Sequence, residues 1–195
     1  MTKQFKYIAY VAAMLLLCCR GPQPVSTSPF QVANRIVFHQ LLAENLSEDM
    51  ALATQNDEIL LYFSILEQDG KTWVERHQLS FEPFLFSKRG QQLALLDSLP
   101  LASFSPKSVA VFALIELDEE NSAPKIRKLL RQSLSTGRFL QHVDIREMNT
   151  LLADDDFLGL QYYPLSSLER GKRLKIRFVG RHLFDPFAYV LTIRT

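Results

Sequence analysis

Cysteine is nearly absent from this chain: Cys18 and Cys19 stand side by side and none follows them. The region beyond them therefore has no disulfide, no cysteine nucleophile and no thiolate metal site, and its stability must come from an ordinary apolar core. An excess of either charge is also lacking. With 22 Lys and Arg against 21 Asp and Glu, the formal net charge is +1. Nucleic acid is thereby excluded as the main partner, because neutralising phosphates takes a marked basic surplus. Catalytic signatures are missing: the sequence holds no G-x-S-x-G elbow, no H-E-x-x-H helix, no G-x-x-x-x-G-K-[ST] loop and no G-x-G-x-x-G turn. The four histidines, His39, His77, His142 and His182, are too scattered for ligand spacing. No internal repeat occurs, and the apolar run at residues 7–17 is shorter than the roughly 20 residues a membrane-spanning helix needs.

That short run has a use of its own. Lys3 and Lys6 precede it, and Leu16-Leu17-Cys18-Cys19 ends it, which is the pattern of a bacterial export signal closing on a lipid-attachment site. A small residue favours the cysteine that follows it, so Cys19, preceded by Cys18, is the expected lipidated residue. Residues 1–19 are the expected signal and lipobox. Residues 20–30, rich in proline and small polar side chains, read as a tether, and residues 31–195 as one globular domain. The expected location is the bacterial cell envelope, on the periplasmic or cell-surface side of a membrane.

The domain reads as mainly β. Residues 58–66 (EILLYFSIL) and 72–80 (TWVERHQLS) flank Asp69-Gly70, a strong hairpin signal. Residues 108–118 (SVAVFALIELD) form the continuous apolar run of a strand buried on both faces. Leu174, Ile176 and Phe178 alternate with Arg173, Lys175 and Arg177, which marks a strand with one wet face. Residues 188–194 (AYVLTIR) supply another strand, with 180–186 as the expected loop between the two. Residues 34–42 and 91–99 fit strand or helix by pattern. Ser122-Ala-Pro124 opens a helix with Ile126, Leu129, Leu130 and Leu134 on one face and Gly137 at its end, and a further helical turn is expected over 145–152. These elements predict an antiparallel β-sandwich with a helical insertion at 122–152.

The order of three segments carries a family resemblance. SVAVFALIELD at 108–118, Asp154-Asp155-Asp156-Phe157-Leu158-Gly159, and Pro164-Leu165-Ser166-Ser167-Leu168 together resemble the last third of a C-two domain. That family is the calcium- and lipid-binding β-sandwich of protein kinase C and synaptotagmin, and the acidic-acidic-Phe-Leu-Gly step is its most specific mark here. More faintly, residues 36–42 followed by an acidic stretch and Asn56-Asp57-Glu58 are similar to the family's first strand and calcium loop. The resemblance implies calcium as the cofactor, with Asp118, Asp155, Asp156 and Asp57 as ligands.

Chemistry alone sets a limit on that cluster. Calcium takes six to eight oxygens, and successive aspartates diverge, so at most two of Asp154, Asp155 and Asp156 can serve one ion. Glu44 and Asp49 are further carboxylates within reach by sequence. Arg173, Lys175 and Arg177 form a candidate membrane or partner surface, as do Lys125, Arg127, Lys128 and Arg131 on the helix. Trp73 and Tyr62 read as core, with a sugar-stacking platform as the alternative. The expected function is a membrane-anchored binding or scaffolding module for an envelope protein or a lipid headgroup. The competing reading is a small hydrolase or glycan-acting enzyme with its acid and base among Asp118, Asp154, Asp155 and Asp156.

Overall fold

The Asp69-Gly70 turn folds as its residues favour. Gly70 takes a φ of 60°, and the strands on either side pair with Asp69 opposite Thr72. In the computed structural model, residues 31–46, 57–117, 122–137, 156–182 and 185–195 are described. Among the described residues ten strands run in chain order: β1 (Arg35–Asn45), β2 (Asp57–Asp69), β3 (Thr72–Ser80), β4 (Phe84–Phe86), β5 (Gln92–Ala94), β6 (Ser98–Pro100), β7 (Val109–Glu116), β8 (Asp156–Pro164), β9 (Arg173–His182) and β10 (Asp185–Arg194). The helix α1 (Ala123–Ser135) lies between β7 and β8 in sequence. One sheet has the order β5-β1-β10-β9 with β6 also on β1, and the other β3-β2-β7-β8 with β4 also on β2; every ladder is antiparallel.

The apolar faces of the two sheets meet in one core. Ile36, Phe38 and Leu41 of β1 and Tyr189, Leu191 and Ile193 of β10 pack toward Ile59, Leu61 and Phe63 of β2 and Ala110, Phe112 and Leu114 of β7. Phe38 anchors it, with its ring edge-on to Phe63 at 5.0 Å and to Phe81 at 5.1 Å. Such rings add about 0.5–1.5 kcal/mol per pair beyond the area they bury.

A second core explains why residues 109–116 have no polar alternation. The other face of β2 and β7, with Leu60, Tyr62, Val111, Ala113 and Ile115, is covered by Ala123, Ile126, Leu130 and Leu134 of α1. Pro124 fits the first turn of the helix, where its missing N–H costs nothing. Gly137 follows the last turn with φ 70°, and a Cβ there would lie 2.5 Å from Trp73 Cδ1, so the indole packs directly on the glycine backbone. A polar clasp completes the docking. Glu75 of β3 accepts from the Tyr62 hydroxyl at 2.5 Å and the Ser64 hydroxyl at 2.9 Å, and pairs with Arg131 of α1 at 2.5 Å. Burial, and then the bond to Glu75, raise the Tyr62 phenol well above its ordinary range, so it remains a donor. Among the described residues no helix is long and apolar enough to cross a membrane.

Three local expectations are resolved by the ladders. Residues 35–42, which fit strand or helix by pattern, are strand, and a bulge between Phe38 and Gln40 shifts the buried positions of β1 out of strict alternation. Residues 91–99 hold two three-residue strands, β5 and β6, both paired to β1. The expected loop at 180–186 is a correction: β9 continues to His182 and β10 starts at Asp185. Pro186 is tolerated there because the β1 ladder ends at Ala188, leaving β10 paired only to β9 beyond it. The helical turn expected over 145–152 lies outside the described residues.

Candidate functional site

Two regions gather the chemistry-bearing residues. The first is one end of the sandwich, where Asn45 ends β1, Asp57 opens β2, Glu116 ends β7 and Asp156 opens β8. Asp57 is in phase with Ile59 and Leu61, and Glu116 with Leu114, so both carboxylates point between the sheets. They are 1% and 3% exposed. Tyr189 of β10 donates its hydroxyl hydrogen bond to Asp57 Oδ2 in the interior. Asp156 stands opposite Glu116 in the β7–β8 ladder.

Of the four expected metal ligands, Asp57 and Asp156 are among the described residues. Asp57 lies inside the sandwich with one oxygen engaged by Tyr189, and Asp156 is placed by its backbone at the same end. Asp118 and Asp155, with Asp49 and Asp154, lie outside the described residues, as does Cys19. Glu44 is taken by Arg177, whose Nη2 pairs with its Oε2. Among the described residues no group of three or more His, Cys, Asp and Glu is placed to hold a metal ion. Two inward carboxylates, one of them bonded to a phenol, do not by themselves fit a cation that wants six to eight oxygens.

The Asp155-Asp156-Phe157-Leu158-Gly159 step has a packing role of its own. The register slips between Leu114 opposite Gly159 and Ile115 opposite Phe157, which leaves Leu158 as the extra residue of a bulge. Phe157 is thereby buried under α1 and Leu158 between the sheets. Gly159 takes φ 148°, with Phe178 Cδ1 at 3.4 Å from where a Cβ would sit. Both core layers need this bulge.

The second region is the outer face of the β5-β1-β10-β9 sheet. Arg173, Lys175 and Arg177 are all exposed on β9, and Ile176 and Phe178 between and beyond them are buried, as the alternation predicts. Sequence alone could not show their company. Arg194 of β10 stands directly opposite Arg173 on one side and Val37 of β1 on the other, and Arg35 shares the face of Val37. Five cations therefore share one sheet face with Glu44, the partner of Arg177. Thr192, opposite Lys175, and Val190, opposite Arg177, are 3% and 4% exposed on this face, consistent with long cationic stems lying over them.

The helix cations divide by role. Arg131 clasps Glu75 and Gln78, and Arg127 Nη2 donates to the Phe81 carbonyl at 2.6 Å, so both fasten α1 to the sheet. Lys125 and Lys128 are both exposed. Tyr62 is inside and Trp73 packs against Gly137, which places the sugar-platform residues in the second core. His39 and His77 lie on β1 and β3, in different sheets.

No protein-family model matches the chain, and no curated protein matches it. Among solved structures it is similar to the C-two A domain of plant Extended Synaptotagmin 1, at 7% sequence identity and a TM-score of 0.35, over 84% of this chain and 92% of that one. The architecture itself rests on the ladders already described: a mainly β, antiparallel two-sheet sandwich with a helix inserted between β7 and β8.

Proposed function

We propose that this chain is an envelope lipoprotein, acylated at Cys19, whose C-two-like sandwich is a binding or scaffolding module for anionic lipid headgroups or an envelope protein. The observation that carries the reading is the pair Arg173 and Arg194, two like charges directly opposite each other on an exposed sheet face. Such a pair weakens a sheet, and a negatively charged partner offsets the cost. Arg35 and Lys175 extend the patch, and each cation near an anionic leaflet contributes about 1 kcal/mol. The N-terminal pattern from Lys3 to Cys19 supports the anchor, and residues 20–30 the tether. Calcium regulation at the loop end depends on Asp118, Asp155 and Asp156, and the basic face functions without it.

The test has two parts. A fatty-acid probe should label the wild type and Cys18→Ser but not Cys19→Ser. The purified Cys19→Ser chain, freed of its anchor, should sediment with phosphatidylglycerol vesicles and not with phosphatidylcholine vesicles. Reversing Arg173 and Lys175 to Glu should abolish that binding without lowering the melting temperature, since Glu at 173 would face Arg194 as an opposite charge. Absence of labelling in both cysteine backgrounds, together with equal recovery on the two vesicles, rejects the reading.

A further inference from the structure

At the end of the sandwich opposite Asp57 and Glu116, the basic face runs into a cleft of about 350 Å³ lined by Asn34, Arg35, Arg170, Gly171, Arg194 and Thr195. Arg170 comes from the turn between β8 and β9 and belongs to neither strand, so the cleft gathers guanidinium groups from three separate chain segments. Among the described residues, no Asp or Glu side chain lines it. Glu169, next in sequence to Arg170, is turned to Lys172 at 3.7 Å. Among the described residues, none of Arg35, Arg170 and Arg194 makes an ion pair.

The cleft is held by main-chain bonds. Arg170 N–H donates to the Gln31 carbonyl at 2.7 Å, and Ala33 N–H to Leu168 at 2.8 Å. Thr195 N–H donates to Lys172 at 2.9 Å, and the Gly171 N–H to the Thr195 carbonyl. The walls are therefore set before any ligand arrives, which lowers the entropic cost of binding.

We infer that this cleft binds a phosphate monoester carrying a small polyol, through Arg35, Arg170 and Arg194. Guanidinium is the side chain that grips phosphate in bidentate fashion, and three of them together favour a dianion over a single carboxylate. The volume lies at the lower end of the roughly 300–1,000 Å³ typical of small-molecule sites and leaves room for a headgroup-sized ester. The inference deepens the proposed anionic-partner reading and shares Arg35 and Arg194 with its face, but it does not depend on the anchor or on β9. The ester could be a lipid headgroup or a free solute, since both present the same phosphate.

The test uses the full chain in uncharged detergent micelles, with sn-glycerol 3-phosphate as probe and glycerol plus matched salt as control. The phosphate ester should raise the melting temperature saturably and the control should not. Arg170→Gln should weaken binding at least tenfold and Arg35→Gln with Arg170→Gln should abolish it, because each variant removes a charge-assisted hydrogen bond to the phosphate. Lys128→Gln, on the exposed side of α1, should leave binding intact. Unliganded melting of these exposed variants should equal wild type, and nitrogen chemical shifts of the arginine side chains give a second readout of occupancy. Phosphatidic acid vesicles distinguish the source: binding that competes with glycerol phosphate assigns a headgroup, and solute binding alone assigns a soluble ester. No saturable rise with the ester, or an equal rise in the double variant, overturns the inference while leaving the phosphatidylglycerol test of the face unaffected.

Discussion

Tyr189 of β10 and Asp57 of β2 join the two sheets by a hydrogen bond inside the sandwich. Tyr189→Phe keeps the ring and removes the donor, leaving a buried carboxylate oxygen without that partner. A loss of about 1–3 kcal/mol is expected in urea unfolding, with no change in m-value. A variant as stable as wild type would show that the bond contributes nothing to the fold.

The same bond bears on metal binding. With one oxygen engaged by Tyr189, Asp57 is expected to be structural, so Asp57→Asn should respond to millimolar calcium as the wild type does. Melting curves with calcium, and after its removal by chelator, check this. A calcium shift present in the wild type and lost in Asp57→Asn alone would return the residue to the ligand set.

On β9 the two faces should separate stability from binding. Ile176 is 1% exposed, and Ile176→Asp buries a charge, which is expected to cost several kcal/mol, about 3 or more. Lys175→Glu on the opposite face should change melting little. Similar losses for the two would place the inward face wrongly.

Glu67 gives the molecule an acid dependence. The Ser105 N–H, the Ser108 hydroxyl at 2.9 Å and Arg76 at 2.8 Å hold its carboxyl below the ordinary value of 4.5. A depressed folded value means that this stability is fully present above about 4.5 and is lost as pH falls through the lower folded value. Glu67→Gln should therefore flatten the acid limb of a stability-against-pH curve. An unchanged limb would show that the three donors do not act on the charge.

How much of this was legible depends on the range of each cause. The β2–β3 hairpin, the helix over Ala123–Ser135 and the wet face of β9 follow from neighbouring residues, and the sequence pattern matches them. The strand β1 was ambiguous because its bulge turns the buried series Ile36, Phe38, Leu41, Ala43 away from period two. The loop expected at 180–186 followed from Gly180 and Pro186, yet Phe187 lies over Gly180 and would meet a Cβ there at 2.5 Å. That glycine serves packing within a sheet. The acidic-Phe-Leu-Gly step was visible as a motif, but its cause, a bulge feeding two cores, depends on α1 and on Phe178 from a distant strand. The arginine cleft was invisible for the same reason: Arg35, Arg170 and Arg194 meet only after β1 pairs with β10.

The helix laid over β2 and β7 also orders the molecule in time. Val109–Glu116 is paired on both edges and covered on both faces, whereas β9 is an edge strand with solvent on one side. The amides of β7 should exchange with solvent deuterium only on global unfolding, while those on the free edge of β9 exchange through small openings. The side of the sandwich offered to a partner is therefore also the side that breathes, and the rigid side is the one closed by α1.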